Sequence, residues 1–433
     1  MPPQEEELVR AIEELYQPPV AGPSAPTSTV THRRCGSALL REAFVRWESL
    51  SEEAKGRLTP FTEPPAKTPD GLPAAPDGSY STVETAHFKV HYKPSGVDAP
   101  PAGDANKNNV PDFVDNACAY LEKAYQKEVA ELGFTPPPDP KQTVYFRKLN
   151  YNGLTHPMPN RRTWIELNSD IVGYTQRALG KYYDPKKVSR DPEGVQAGLV
   201  KAVCAHEFFH AIQAMYSWNL PDWWTEGTAD WMGNQVFPES GFYLNNVGPH
   251  LEQPYVSLFA QGDFFEYSAS LFPEFLSENT GEGPAVVKKI WDGCKTGTLD
   301  QALVQAVGDL RETYLLFACY NALRNYKDGK LLPEPNIHPL PCPGSYSPPS
   351  GREPQYFGSS FIKLQPKGTG TLSVSVTKTT RIELAAKFQG QLHPHGRRPL
   401  TPRSAARPEH PGVCRAGRRR INHDPRWVVA WSW

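Results

Sequence analysis

Three residues limit how this chain can fold more than any others: His206, His210 and Glu226. The run His206-Glu207-Phe208-Phe209-His210 places two imidazoles four positions apart, so on a helix they share one face and can reach one ion. Glu207 follows the first histidine and can point to the open side of that ion, where water would bind. Glu226 lies 16 positions after His210, behind the short loop Ser217-Trp218-Asn219-Leu220-Pro221-Asp222. If these groups converge, two antiparallel helices must face each other, and the rest of the chain has to pack around that pair.

The flanks agree with such a pair. Leu199, Val200, Val203, Cys204, Ile212 and Met215 recur at helical spacing over 197–216, with no Gly or Pro between Val200 and Trp218. Asp222 follows Pro221 and can cap the second helix, on which Glu226 and Asp230 share a face. One carboxylate can ligate the ion while Asp230 accepts a hydrogen bond from the far nitrogen of a ligand histidine, fixing tautomer and ring orientation.

A second oxygen-rich pattern lies upstream. Over 104–115, Asp104, Asn106, Asn108, Asp112 and Asp115 fall at loop positions one, three, five, nine and twelve, and the Val110 carbonyl can supply position seven. This is the ligand spacing of an EF-hand-type calcium loop, with Asn109 where glycine is expected and Asp115 in place of glutamate. A turn rich in Asn and Asp that caps the helix beginning near Phe113, without metal, is the competing reading.

Composition bounds the remainder. A chain of 433 residues can hold two or three domains, and a net charge of −1 argues neither for nucleic acid nor for a strongly acidic partner, so no nucleic-acid partner is expected. No run of eighteen apolar residues exists, so no membrane span is expected. The opening Met1-Pro2-Pro3-Gln4-Glu5-Glu6-Glu7 lacks the apolar core of a signal peptide. Cys118, Cys204, Cys294 and Cys319 sit in helical patterns and read as core thiols, while Cys342, between prolines, could pair in an oxidising compartment.

Along the chain, helical periodicity over Glu5–Tyr16 and Ser37–Leu58 marks residues 1–65 as a helical prefix or a pro-region. Residues 66–335 read as the domain that carries the motif. Strands are expected over 80–93, Thr143–Phe146 and Thr163–Leu167, and helices over 263–279, 284–292 and 298–324. Residues 336–354 are Pro-rich and read as a linker, and 355–390 alternate like the opening of a β-sandwich. From Gln391 the chain carries nine Arg and no Lys, and is read as a disordered or frameshifted tail.

The strings AHEFFHAIQ, WWTEGTADWM and EYSASLFPEFLSENTG resemble the gluzincin, or thermolysin-like, zinc metallopeptidases, and are similar to a family of secreted bacterial metalloproteases, largely myxobacterial. The similarity runs from about Ser81 to about Lys387. It implies an α+β zincin-like domain with a mostly α C-terminal lobe, followed by a partial β-sandwich. It also implies one catalytic zinc held by His206, His210 and Glu226, with Glu207 as general base and Asp230 behind a ligand. The implied reaction is hydrolysis of a protein or peptide substrate outside the cell. Tyr267 is the candidate for stabilising the oxyanion, against a plain core role; His250 is a second candidate. In such domains a cleft-edge strand pairs with the substrate backbone, and Thr163–Leu167 is the candidate strand. The alternative is an inactive metal-binding or adhesion protein on the same fold. An aminopeptidase would need a group for a free α-amine, and no motif supplies one.

Overall fold

The computed structural model describes residues 1–16, 35–64, 66–67, 79–179, 184–342, 344–366, 381–388, 391–394 and 427–432. The architecture is α+β. The N-terminal segment forms α1 (Pro3–Leu15), α2 (Ser37–Arg46) and α3 (Glu52–Thr62). The helical stripe expected over Ser37–Leu58 is therefore broken, and Ser51 caps α3 by accepting from the Ala54 N–H. Leu8, Ile12, Leu40, Ala43 and Leu58 close a small core of their own, completed by Leu149, Tyr151 and Leu154 from the next domain.

That next domain holds a five-stranded mixed sheet of β1 (Ser81–Glu84), β2 (Phe88–Tyr92), β3 (Gln142–Arg147), β4 (Gly153–Pro157) and β5 (Thr163–Asn168), in the order β1-β2-β3-β5-β4. Strands β2, β3 and β5 run parallel, and β4 returns antiparallel along β5. This corrects one expectation. Thr163–Leu167 is an interior strand, and the edge is β4, whose Gly, His and Pro hid it from a reading by propensity.

Helix α4 (Asp112–Tyr125) continues as a wider π turn through Glu131. After α5 (Ile171–Leu179) and α6 (Pro185–Val188) come α7 (Val195–Gln213) and α8 (Asp222–Val236), which pack on each other and carry the motif. Phe208, Phe209, Trp224, Trp231 and Trp291 are fully buried around this pair. Each such side chain contributes roughly 1.5–3 kcal/mol by leaving water.

The C-terminal lobe is helical: α9 (Gly248–Glu252), α10 (Phe265–Ser268), α11 (Leu271–Asn279), α12 (Ala285–Gly293), α13 (Leu299–Val307) and α14 (Leu310–Leu323). The helix expected over 298–324 breaks at Gly308, whose φ of +79° suits glycine. No helix among the described residues is long and apolar enough to cross a membrane.

A second five-stranded sheet follows, of β6 (Ile337–Cys342), β7 (Ser360–Pro366), β8 (Arg381–Phe388), β9 (Gln391–Pro394) and β10 (Trp427–Ser432), in the order β6-β7-β10-β8-β9. Here the sequence reading is corrected twice. The segment 336–354 begins with a strand, and the segment read as a disordered or frameshifted tail supplies β9 and the central strand β10. The arginine-rich stretch 395–426 lies outside the described residues.

Candidate metal centre

Helix α7 delivers His206 and His210 side by side, with their Nε2 atoms 3.0 Å apart. Helix α8 delivers Glu226, whose Oε2 lies 3.3 Å from His206 Nε2 and 3.4 Å from His210 Nε2. The spacing that predicts convergence thus produces it. Each imidazole is anchored on its far side. His206 Nδ1 lies 2.9 Å from Asp230 Oδ1, and His210 Nδ1 lies 2.9 Å from Gln213 Oε1. Asp230 is held in turn by the Asn246 side-chain amide, and Gln213 donates to the Thr225 carbonyl at 2.8 Å. Both far nitrogens therefore donate, which leaves both Nε2 atoms as acceptors aimed at one point.

The donor set fits a divalent cation. Glu226 is 1% exposed, and neither of its carboxylate oxygens accepts a hydrogen bond. A buried carboxylate left this way is costly unless a cation takes up its lone pairs. Burial opposes charge throughout the cluster. Even so, the flanking imidazoles hold the Glu226 carboxyl well below the usual carboxylate range, while Asp230, Cys35 and Glu226 together raise His206. The cluster is electrostatically arranged for positive charge at its centre.

Sequence reasoning missed the fourth member. Cys35, on the segment just before α2, completes a buried group with His206, His210 and Glu226, their donor atoms all within 4.8 Å of one another, that could hold a metal ion. Its Sγ lies 3.5 Å from His210 Nε2. The only available signal was Cys35-Gly36 ahead of a helix, and nothing in that dipeptide points across 171 positions to His206. None of the other described cysteines forms a disulfide, and Cys118, Cys204, Cys294 and Cys319 are buried as expected.

Glu207 stands beside the cluster. The Ser37 and Thr155 hydroxyls donate to its Oε2 at 3.2 and 3.0 Å, and burial raises its carboxyl above the ordinary value. Gly153 on β4 permits the approach, because a Cβ there would sit 2.8 Å from Glu207 Cγ and 2.9 Å from Val203 Cγ1. Tyr267, on α10, is buried, and its ring centroid lies 6.3 Å from that of His206. Its hydroxyl accepts the Cys35 N–H at 3.0 Å. The structure thus brings Tyr267 to the centre, where Gly227 lets α8 approach the backbone of Ala269 and Ser270. His250 stays out of the cluster. It packs edge-on against Phe265, and burial lowers it to about 4.

The calcium-type loop has a different character. The backbone N–H groups of Asn108 and Asn109 donate to Asp104, that of Val110 donates to Asn108, and that of Ala105 donates to Asp112. The side-chain amides of Asn106 and Asn108 both donate to Asp115 Oδ2, at 2.9 and 2.8 Å. Asn109 takes a φ of +66°, the left-handed turn that asparagine tolerates better than most residues other than glycine. The loop folds as a turn in which the Asp104, Asn108, Asp112 and Asp115 side chains accept hydrogen bonds from the loop's own N–H groups.

No protein-family model matches this chain, and no curated protein matches it.

Proposed function

We propose that this chain is a zinc-dependent endopeptidase of the gluzincin kind, with His206, His210 and Glu226 holding the metal. One observation carries the reading: a buried carboxylate without hydrogen bonds converges with two oriented imidazoles, and a second carboxylate, Glu207, stands beside them. Zinc in such a set polarises a carbonyl and lowers the pKa of water to about 7. The chain's own residues supply the rest. Glu207 takes the proton from the attacking water and returns it to the leaving amine. Tyr267 donates to the oxygen on which negative charge develops, a role supported by its ring lying 6.3 Å from that of His206. The edge of β4, once the residues now lying on it leave, offers its backbone to an extended peptide, as sheet edges do in peptide recognition. Calcium in the Asp104–Asp115 loop is a secondary part of the same reading, with a structural role.

The competing reading, a metal-binding protein without turnover, rests on Cys35. With it the centre has four protein donors, the number found in structural zinc sites, whereas catalytic sites keep one position open. The test is hydrolysis of an unstructured protein by the zinc-loaded chain carrying Cys35→Ala, with and without Glu207→Gln. Loss of a general base typically costs about 10²–10⁴-fold in rate with metal content unchanged. Equal turnover in the two chains would sink the endopeptidase reading.

A further inference from the structure

The N-terminal segment does more than lie against the domain; it occupies the two places a substrate needs. At Cys35 the backbone forms a parallel bridge with Gly153 on the edge strand β4. Two residues on, the Ser37 hydroxyl accepts the Thr155 N–H of the same strand at 2.7 Å and donates to Glu207. The Cys35 N–H donates to Tyr267. One short stretch therefore engages the sheet edge, the candidate base and the candidate oxyanion donor, while its thiol enters the His206–His210–Glu226 cluster.

The stretch is anchored on both walls of the groove. On the helix side, Arg41 pairs with Asp222 and donates to Thr225 Oγ1 at 2.7 Å, and the Phe44 ring lies against Trp218. On the sheet side, the Tyr16 hydroxyl donates to Glu166 Oε2 at 3.2 Å, beside His156 of β4. Gly36 fits between these walls because a Cβ there would stand 2.9 Å from Leu15 Cδ1 and 3.1 Å from a Leu154 methyl.

We infer that residues 35–37 form a latch. Cys35 ligates the metal as a thiolate from the N-terminal segment and, with Ser37, holds the centre closed to water and to substrate. This rests on the metal-centre reading above and extends it. On ligation the Cys35 thiol gives its proton to solvent, and water takes the vacated position when the thiolate leaves. The second observation pointing to a ligand here is Glu226, buried and without a hydrogen-bond partner, aimed at the point the thiol approaches. Under this reading residues 1–62 are an inhibitory pro-region rather than a neutral prefix.

The experiment uses the full chain loaded with cobalt(II), whose spectrum reports its ligands. Wild type, Cys35→Ser and Cys35→Ala are compared, with acetohydroxamate as a small exogenous metal ligand. The expected result is cobalt bound by all three. A near-ultraviolet thiolate-to-cobalt band should appear in wild type and vanish in both variants. Acetohydroxamate should shift the visible bands of the variants and leave wild type unchanged. Cobalt bound by wild type without a thiolate band would overturn the latch and leave the metal centre standing, as would a band that survives Cys35→Ser. Equal acetohydroxamate shifts in all three would overturn closure. Failure of wild type to bind cobalt would remove the metal-centre reading itself and the latch with it. The wild-type spectrum alone settles thiolate ligation if a variant misfolds, because Cys35 is the only cysteine that joins the cluster among the described residues.

Discussion

The helix pair around Glu226 and the loop from Asp104 to Asp115 both gather metal-type donors, and they use them in opposite ways. In the loop the oxygens are exposed and already accept hydrogen bonds from the loop's own N–H groups. Between the helices the donors are buried, oriented from behind, and in the case of Glu226 left without any hydrogen bond. The contrast teaches which kind of evidence points to a cation. Ligand-type spacing alone describes both regions. A buried carboxylate without a hydrogen bond, held ionised by two imidazoles that face it, describes only one, and that is the charge state a cation would bind.

The comparison can be broken or sharpened by experiment. Glu226→Ala should have the largest effect, taking zinc from about one per chain to none on measurement by mass spectrometry. Asp104→Ala, run beside it, should leave zinc content intact. If both lose zinc, the two regions are coupled and the contrast is wrong. Asp230→Asn comes next. It removes the carboxylate behind His206 but keeps the shape, so zinc affinity should fall about 10–100-fold in a competition titration against a chelator. An unchanged affinity would mean that ring orientation comes from packing alone.

The smallest effect is expected in the loop. Asp115→Ala deletes the acceptor of two side-chain amides at an exposed position, and should cost at most about 1 kcal/mol in calcium-free buffer. Calcium should raise the melting temperature of the parent and leave that of the variant unchanged. No response in the parent would reduce the loop to a helix cap and make the difference between the two regions complete.

These two regions were also the most legible in the sequence, for the same reason: their information is local. His206 and His210 are one helical turn apart, Glu226 and Asp230 are another, and twelve consecutive residues make the loop. What stayed hidden was non-local or against propensity. Cys35 reaches His210 only because a separate small core, closed by Leu149, Tyr151 and Leu154, docks the N-terminal helices on the sheet edge. Strand β4 carries Gly153, His156 and Pro157, which disfavour a strand except at an edge, and its place beside β5 is set by tertiary pairing. Strands β9 and β10 lie in a stretch whose arginine and proline content reads as unfolded, yet β9 turns back on β8 beside it and β10 finds its partners β7 and β8 far back in the chain. Tyr267 could be nominated from its position after the ligands, but its arrival at the centre depends on the close approach at Gly227.

Helix α7 has no wet face: from Gly198 to Gln213 every residue is buried, Lys201 included, its ammonium paired with Asp191 and Glu193. An ordinary amphipathic helix offers the outward half of its positions as neutral ground, where sequence can drift without consequence. This one has no such ground over sixteen consecutive residues. A saturation scan should therefore show one unbroken band of intolerance there, in place of the usual beat of one sensitive position in every three or four. Divergence among descendants of this chain would then be written on what surrounds the helix, while the helix itself changed last.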